Sequence, residues 1–264
     1  MSHTPGTFLR IERTGAVQIS TMHRPEQRNA INYAMLEELR AACFHAQADT
    51  TLRCIVLTGG TEVFSAGGDL NELKGLRDPG QVRAFAELGE DLCARIETLH
   101  VPVIAAMSGV AFGGGVELAL ACDLRIADDR LRLSFRHAKL GNTLAWGTLR
   151  KLTYTVGHST AARLLFTAHE IGALEGRALR LIDYVADKRA ATTLALAWAN
   201  DIEQNSPQAV TEQKRLLRSY RFGDPASVND ERDAFVKTWT GTDHQEAISA
   251  HFEKRSPSWH PKKM

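Results

Sequence analysis

The sequence predicts an α/β fold: a core in which strands alternate with helices, followed by a module of helices alone. Three observations carry this expectation. Short apolar or alternating runs, punctuated by Gly, Asn and Asp, recur through about residue 150. Longer runs at helical spacing fill the chain beyond that point. Two of the strands lead into glycine-rich turns that open helices. With 264 residues, 44% of them hydrophobic and 24% charged, the chain is sized for one large domain or for a core with an appendage. A chain of that size buries enough surface to fold without disulfides.

Phe8–Arg13 and Ala16–Thr21 read as two short strands around Gly15. Arg24 to Asn29 is turn-like. Apolar residues at Met35, Leu36, Leu39, Cys43 and Phe44 predict a helix from Asn32 to Ala48. Cys54–Leu57 is a buried strand that stops at Gly59-Gly60, and Phe64-Ser65-Ala66-Gly67-Gly68-Asp69 is a second glycine-bearing turn. A helix is expected over Gln81–Leu99, a strand over Val103–Met107, a helix over Gly115–Cys122 and a strand over Leu124–Ala127. Helical patterns then dominate, at Ala161–Phe166, Ala191–Asn205, Gln208–Tyr220, Val228–Trp239 and His244–Lys254. The change of character lies between residues 190 and 205. It is set here at 195/196, giving a core of 1–195 and a helical module of 196–264.

Composition excludes several classes. Lys+Arg 32 against Asp+Glu 31 leaves a formal charge of +1, so no electrostatic nucleic-acid binder is expected. Cys43, Cys54, Cys93 and Cys122 are scattered, which suits a reducing compartment and offers no zinc site. The histidines show no HxxxH or HExxH spacing, so no metal is expected. Met1–Gly6 lacks a basic region followed by an apolar stretch, so no signal peptide is expected. Val101 to Cys122 carries a single charge, Glu117, but Pro102, the triplet Gly113-Gly114-Gly115 and the return to Asp123 and Arg125 argue for a strand, a turn and a helix rather than a membrane span. A cytoplasmic protein is expected, without membrane partners. The tail Lys262-Lys263 reads as a solvated basic end.

Chemistry is most visible at the two glycine turns. One is Phe64-Ser65-Ala66-Gly67-Gly68-Asp69-Leu70, the other Phe112-Gly113-Gly114-Gly115-Val116-Glu117. Glycine lets a backbone approach a ligand closely, and a helix start offers free N–H groups. Two such groups converging on one point make an oxyanion hole. The plainer reading, glycines that serve only the bend, stands beside it. Neither turn fits a dinucleotide fingerprint, and there is no GxxxxGK[ST] phosphate loop. Glu117 sits among Val116, Leu118, Ala119 and Leu120, where burying a carboxylate is costly. It reads either as an acid favoured by the helix N-terminus or as an acid/base tuned by burial.

Arg24-Pro25-Glu26-Gln27-Arg28-Asn29-Ala30, then Phe64 to Leu70, then Pro102-Val103-Ile104-Ala105-Ala106 and Gly113 to Asp123, and finally Phe252-Glu253-Lys254-Arg255, together resemble the crotonase (enoyl-CoA hydratase/isomerase) superfamily. The likeness spans nearly the whole chain in the same order. It implies a spiral core of ββα units with C-terminal helices that build trimers, often paired into hexamers. It implies a coenzyme A thioester as substrate and no separate cofactor. It places the two amides that hold the thioester oxygen at Gly68 and Gly114. Arg28, Ala66, Asp69 and Leu70 fall where the family contacts the CoA moiety, and Lys254 falls where a neighbouring subunit reaches its phosphate. Trp146 is expected as acyl-pocket wall.

The resemblance also exposes a departure. Hydratases of this family carry a second glutamate facing the first, and counting without gaps puts it at His137, with Arg136-His137 in place of the usual Pro-Glu. Ala145 stands where some isomerases and a dehalogenase branch carry Asp. Two readings of His137 stand: a second acid/base, since imidazole titrates near neutrality, or a structural histidine bonded to backbone. His137, Gly141 and Trp146-Gly147 are also similar to ethylmalonyl-CoA decarboxylase-like members, although Leu144 and Thr148 depart from the Pro and Gly usual there. A malonyl-type substrate brings its own carboxylate, which a histidine tolerates better than a second carboxylate would. The expected function is therefore an acyl-CoA lyase working through a thioester enolate, nominally an enoyl-CoA hydratase with Glu117 and His137 as the acid/base pair. Decarboxylation of a malonyl-type CoA is the alternative. A non-catalytic CoA-binding module is a third reading.

Overall fold

Residues 8–221 and 228–259 are described by the structure, a computed structural model of the chain. Met1–Gly6 and Lys262-Lys263 lie outside the described residues. The chain opens with β1 (Leu9–Thr14) and β2 (Val17–Met22), an antiparallel hairpin turned at Gly15 with φ 59°. One turn of 3-10 helix (Pro25–Gln27) leads to α1 (Tyr33–Ala48), capped by the Asn32 side chain, which accepts from the Met35 amide. β3 (Cys54–Thr58) is followed by the short α2 (Leu70–Leu73) and the long α3 (Pro79–Thr98). Next come β4 (Val103–Met107), β5 (Val110–Phe112), α4 (Gly114–Ala121), β6 (Leu124–Asp128) and β7 (Arg132–Ser134).

The main sheet has strand order β1-β2-β3-β4-β6, and every pair after the first hairpin is parallel. Its sixth strand, β9 (Tyr184–Ala186), pairs with β6. β3 and β4 are buried throughout, as a parallel sheet covered on both faces requires. A second sheet joins β5 to β7 in parallel and β7 to β8 (Ile171–Gly172) in antiparallel fashion. β5, β7, β8 and β9 are two or three residues long, and none was expected from the sequence. At that length no alternation has room to appear. α5 (Leu149–Val156) and α6 (His158–Thr167) lie between β7 and β8 and pack on each other, and α7 (Ala173–Ala178) follows β8 and packs on the second sheet.

α8 (Ala191–Glu203) lays Ala191, Ala195 and Ala199 against Val56, Ile104, Ala106 and Ile126 of the main sheet. Small residues at that spacing let the helix approach closely. α8 therefore runs across the expected boundary at 195/196 as part of the core's own packing. α9 (Pro207–Arg221), α10 (Val228–Trp239) and α11 (Thr242–Glu253) form the rest of the helical module. α9 is fastened to the core by buried Lys214. Its Nζ lies 2.7 Å from an Asp123 carboxylate oxygen and donates to the carbonyls of Val101 at 2.8 Å and Ile96 at 3.2 Å. A buried ammonium persists only where its donors are met in this way. All four cysteines are buried free thiols, and burial pushes Cys43, Cys54 and Cys122 up to about 12. No helix among the described residues is long and apolar enough to cross a membrane.

Candidate active site

The two glycine turns meet. Ser65 bridges Ala111 in parallel, with the Phe112 amide donating to the Ser65 carbonyl at 3.0 Å and the Ser65 amide to the Val110 carbonyl at 3.0 Å. Gly67 has φ 94°, and a Cβ placed there would lie 2.7 Å from the Phe112 carbonyl oxygen and 3.5 Å from the Gly114 nitrogen. Only glycine takes that angle and that separation without strain. Gly68 forms a parallel bridge with Ile31, whose ladder bonds run from the Ile31 amide to the Gly67 carbonyl and from the Asp69 amide to the Ile31 carbonyl. In this pattern the Gly68 N–H points away from Ile31. Gly114 is the first residue of α4, where the amide has no partner within the helix.

Several residues hold the first turn in place. Asn29 is buried and has φ 53°; its side-chain Nδ2 donates to the carbonyls of Gly59 and Val63, while its side-chain oxygen accepts from the Arg24 amide. Asn tolerates the left-handed region better than most residues, and these bonds offset what strain remains. Asp69 caps α2, accepting from the Asn71 and Glu72 amides, and pairs with Arg24 Nη2 at 2.9 Å. Burial works to raise the Asp69 carboxyl, but Arg24 and the two amides outweigh it and hold it below the ordinary carboxylate range. The Asp69 carboxylate is thus committed to the turn. Arg28 is exposed with φ 52°, and its carbonyl accepts from the Ala66 amide at 2.9 Å. Leu70 is exposed beside them. Arg28, Ala66, Asp69 and Leu70 therefore share one edge of the Gly68 turn.

Glu117 lies in the first turn of α4 and is 2% exposed. Oε2 accepts from the Trp146 amide at 3.0 Å and from Thr148 Oγ1 at 2.6 Å. Oε1 faces His137 Nε2 at 3.2 Å. The residue in the second-glutamate position thus stands directly opposite the first. The Nδ1 of His137 is buried and makes no hydrogen bond among the described residues. Arg136, next in sequence, turns outward: it stacks on Phe112 with its guanidinium carbon 3.6 Å from the ring centroid and pairs with Glu170 at 3.1 Å.

Trp146 is buried and wedged between α3 and α4. A Cβ at Gly89 would lie 2.1 Å from its Nε1, and one at Gly114 would lie 2.7 Å from its Cη2. Its indole packs against Gly114, and its own amide donates to Glu117 Oε2. Lys254 ends α11 in the left-handed region with φ 52° and is exposed. Among the described residues no contact joins it to Glu117 or to either glycine turn. Sequence reasoning missed Thr148 as a partner of Glu117 and Asn29 as the pin of the first turn. Thr148 was visible only as a departure from glycine. Among the described residues no group of three His, Cys, Asp or Glu is placed to hold a metal.

The comparisons with known proteins bear on the fold and the family. The enoyl-CoA hydratase/isomerase family profile matches residues 12–262. The short-chain-enoyl-CoA hydratase of Clostridium acetobutylicum is 34% identical over 247 residues, covering 93% of this chain and 94% of that one. The 2,3-dehydroadipyl-CoA hydratase of Escherichia coli is 31% identical over 252 residues, covering 95% and 98%. Among solved structures, an enoyl-CoA hydratase from Bacillus anthracis superposes with a TM-score of 0.91 at 29% identity, covering 97% of this chain and 100% of that one. DspI from Pseudomonas aeruginosa gives 0.92 at 30% identity, covering 98% and 99%.

Proposed function

The chain belongs to the enoyl-CoA hydratase/isomerase family, and from that premise we propose that it is an acyl-CoA lyase that hydrates an enoyl-CoA through a thioester enolate. The observation that carries this reading is the approach of His137 Nε2 to within 3.2 Å of Glu117 Oε1. Hydration places a hydroxyl on one carbon and a proton on the next, so it needs a pair of proton-transfer groups around one water. Here an imidazole and a carboxylate take those places.

In this mechanism the thioester oxygen sits against the amides of Gly68 and Gly114. The water oxygen bonds the β-carbon as its O–H bond breaks, and the proton passes to the Glu117–His137 pair. The double-bond electrons move onto the thioester oxygen. The carbonyl then re-forms as the α-carbon takes a proton from the pair. Charge is greatest on the oxygen in the enolate, so two fixed donors stabilise the transition state more than the ground state. The Gly114 amide, which has no partner inside α4, and the Gly68 N–H, which points away from Ile31, support that assignment. In this reading Arg28, Ala66, Asp69 and Leu70 meet the CoA moiety along the edge of the Gly68 turn, Asp69 through its backbone. The exposed Phe235, Val236, Trp239, Ile248 and Phe252 of the helical module support assembly into trimers or pairs of trimers, with Lys254 offered to a neighbour's CoA phosphate. The expected compartment is the cytoplasm.

A second reading is decarboxylation of a malonyl-type CoA. One observation favours it: the group facing Glu117 is an imidazole, which does not repel a substrate carboxylate as a second glutamate would. The intact Glu117 and glycine turns weigh against a non-catalytic module. The test is to offer crotonyl-CoA and ethylmalonyl-CoA to the purified protein. Hydration of crotonyl-CoA is the expected result. Release of carbon dioxide without measurable hydration would replace the first reading with the second.

A further inference from the structure

Thr148 stands at the N-cap of α5, the position where a threonine hydroxyl ordinarily accepts from an amide of its own helix. Here it makes no capping bond. It is 1% exposed, and its hydroxyl donates to Glu117 Oε2 at 2.6 Å. The preceding turn is shaped for the same contact. Gly147 has φ 74°, and this left-handed step between Trp146 and Thr148 brings the Trp146 amide and the Thr148 hydroxyl to one oxygen. The helix forgoes a cap while a buried carboxylate gains a second donor.

We infer that Thr148 is a positioning residue for the reaction: with the Trp146 amide it clamps Oε2 of Glu117, so that Oε1 alone is presented to His137 and to the substrate. The inference rests on the reading of Glu117 as a proton-transfer group. Both Oε2 bonds are donated to the carboxylate, so that oxygen has no proton to give and little capacity to swing toward His137. Proton traffic at Glu117 then runs through one oxygen of fixed direction, the condition under which proximity catalysis is effective. A glycine at 148 has no hydroxyl to offer. The clamp is therefore a property of this residue in this chain rather than of the backbone turn.

The test is steady-state hydration by Thr148→Val and Thr148→Ser beside wild type and Glu117→Gln. Valine keeps the shape and removes the donor, and serine restores it. A lost hydrogen bond to an ionised group corresponds to a fall in kcat of about 10- to 100-fold. KM is expected to stay near wild type, because Thr148 does not reach the substrate, and Thr148→Ser is expected to recover most of kcat. Should Thr148→Val fail to fold, Thr148→Ala takes its place with the same expectations. Wild-type kcat in Thr148→Val, beside a collapsed Glu117→Gln, would overturn the clamp and leave the role of Glu117 standing. An equal fall in the valine and serine variants would also overturn it, since packing rather than the hydroxyl would then be at work. Wild-type turnover in Glu117→Gln would instead remove the reading on which the clamp rests.

Discussion

Gly114→Ala probes packing and chemistry together, because the Trp146 indole spans the gap between α3 and α4. Its Cη2 edge meets Gly114 and its Nε1 edge meets Gly89. An alanine methyl at 114 would lie 2.7 Å from Cη2 and 3.0 Å from Cζ3, so it overlaps the ring by about 1 Å against an ordinary carbon contact. The ring has no room to retreat, since at its other edge a Cβ on Gly89 would lie only 2.1 Å from Nε1. Overpacking of this kind costs about 1–3 kcal/mol. In a chain of this size that lowers the thermal midpoint by about 2–12 °C. The relief available is to push the start of α4 away from the indole, which also displaces the Gly114 amide. Loss of one oxyanion donor lowers kcat by about 10²- to 10³-fold. Thermal unfolding and crotonyl-CoA turnover of the same preparation measure both effects. In a Trp146→Phe background the alanine step should cost less, giving a coupling of about 0.5–3 kcal/mol. A Gly114→Ala protein with the wild-type midpoint and wild-type kcat would refute both the close approach and the role given to the amide.

Other expectations concern the remaining parts of the site. Glu117→Gln should fold, because the glutamine carbonyl can keep the Trp146 and Thr148 bonds while its NH₂ group faces His137 Nε2; circular dichroism and CoA binding should be unchanged while kcat falls about 10²- to 10⁴-fold. Asp69 is held below the ordinary carboxylate range in the folded state, so its contribution to stability is complete above about pH 4 and is lost as pH falls through its lowered value. Asp69→Asn should lower stability at pH 7 and flatten that acid dependence in urea titrations, and an unchanged acid limb would show that the Arg24 pair contributes nothing. Light scattering should give a trimer or a multiple of it, and Trp239→Asp should shift it toward smaller species; a stable, fully active monomer would contradict the assembly.

The legible parts of the fold were those with enough residues to show a period. Val103–Met107 appeared as read, and the helices at 33–48 and 79–98 were found to within a residue or two at each end. β7 was missed because Arg132-Leu133-Ser134 becomes a strand only by lying beside β5, a tertiary fact with no local signature. α5 was missed too, in a stretch where no reading was made. At the site, Glu117 stood out because a carboxylate in an apolar run needs an explanation, and His137 because it occupies a position where another side chain was expected. Asn29 and Thr148 act through partners 30 or more residues away, and each looks ordinary in its own neighbourhood. Hydrogen bonds of that reach emerge only once the turns are folded together.

The sharpest measurement is hydration of crotonyl-CoA by His137→Ala. With Glu117 as the remaining proton-transfer group of the pair, kcat should fall to background while the protein stays folded and still binds CoA esters. Brisk hydration surviving in His137→Ala would show that the contact between His137 and Glu117 is not the acid/base pair of the reaction.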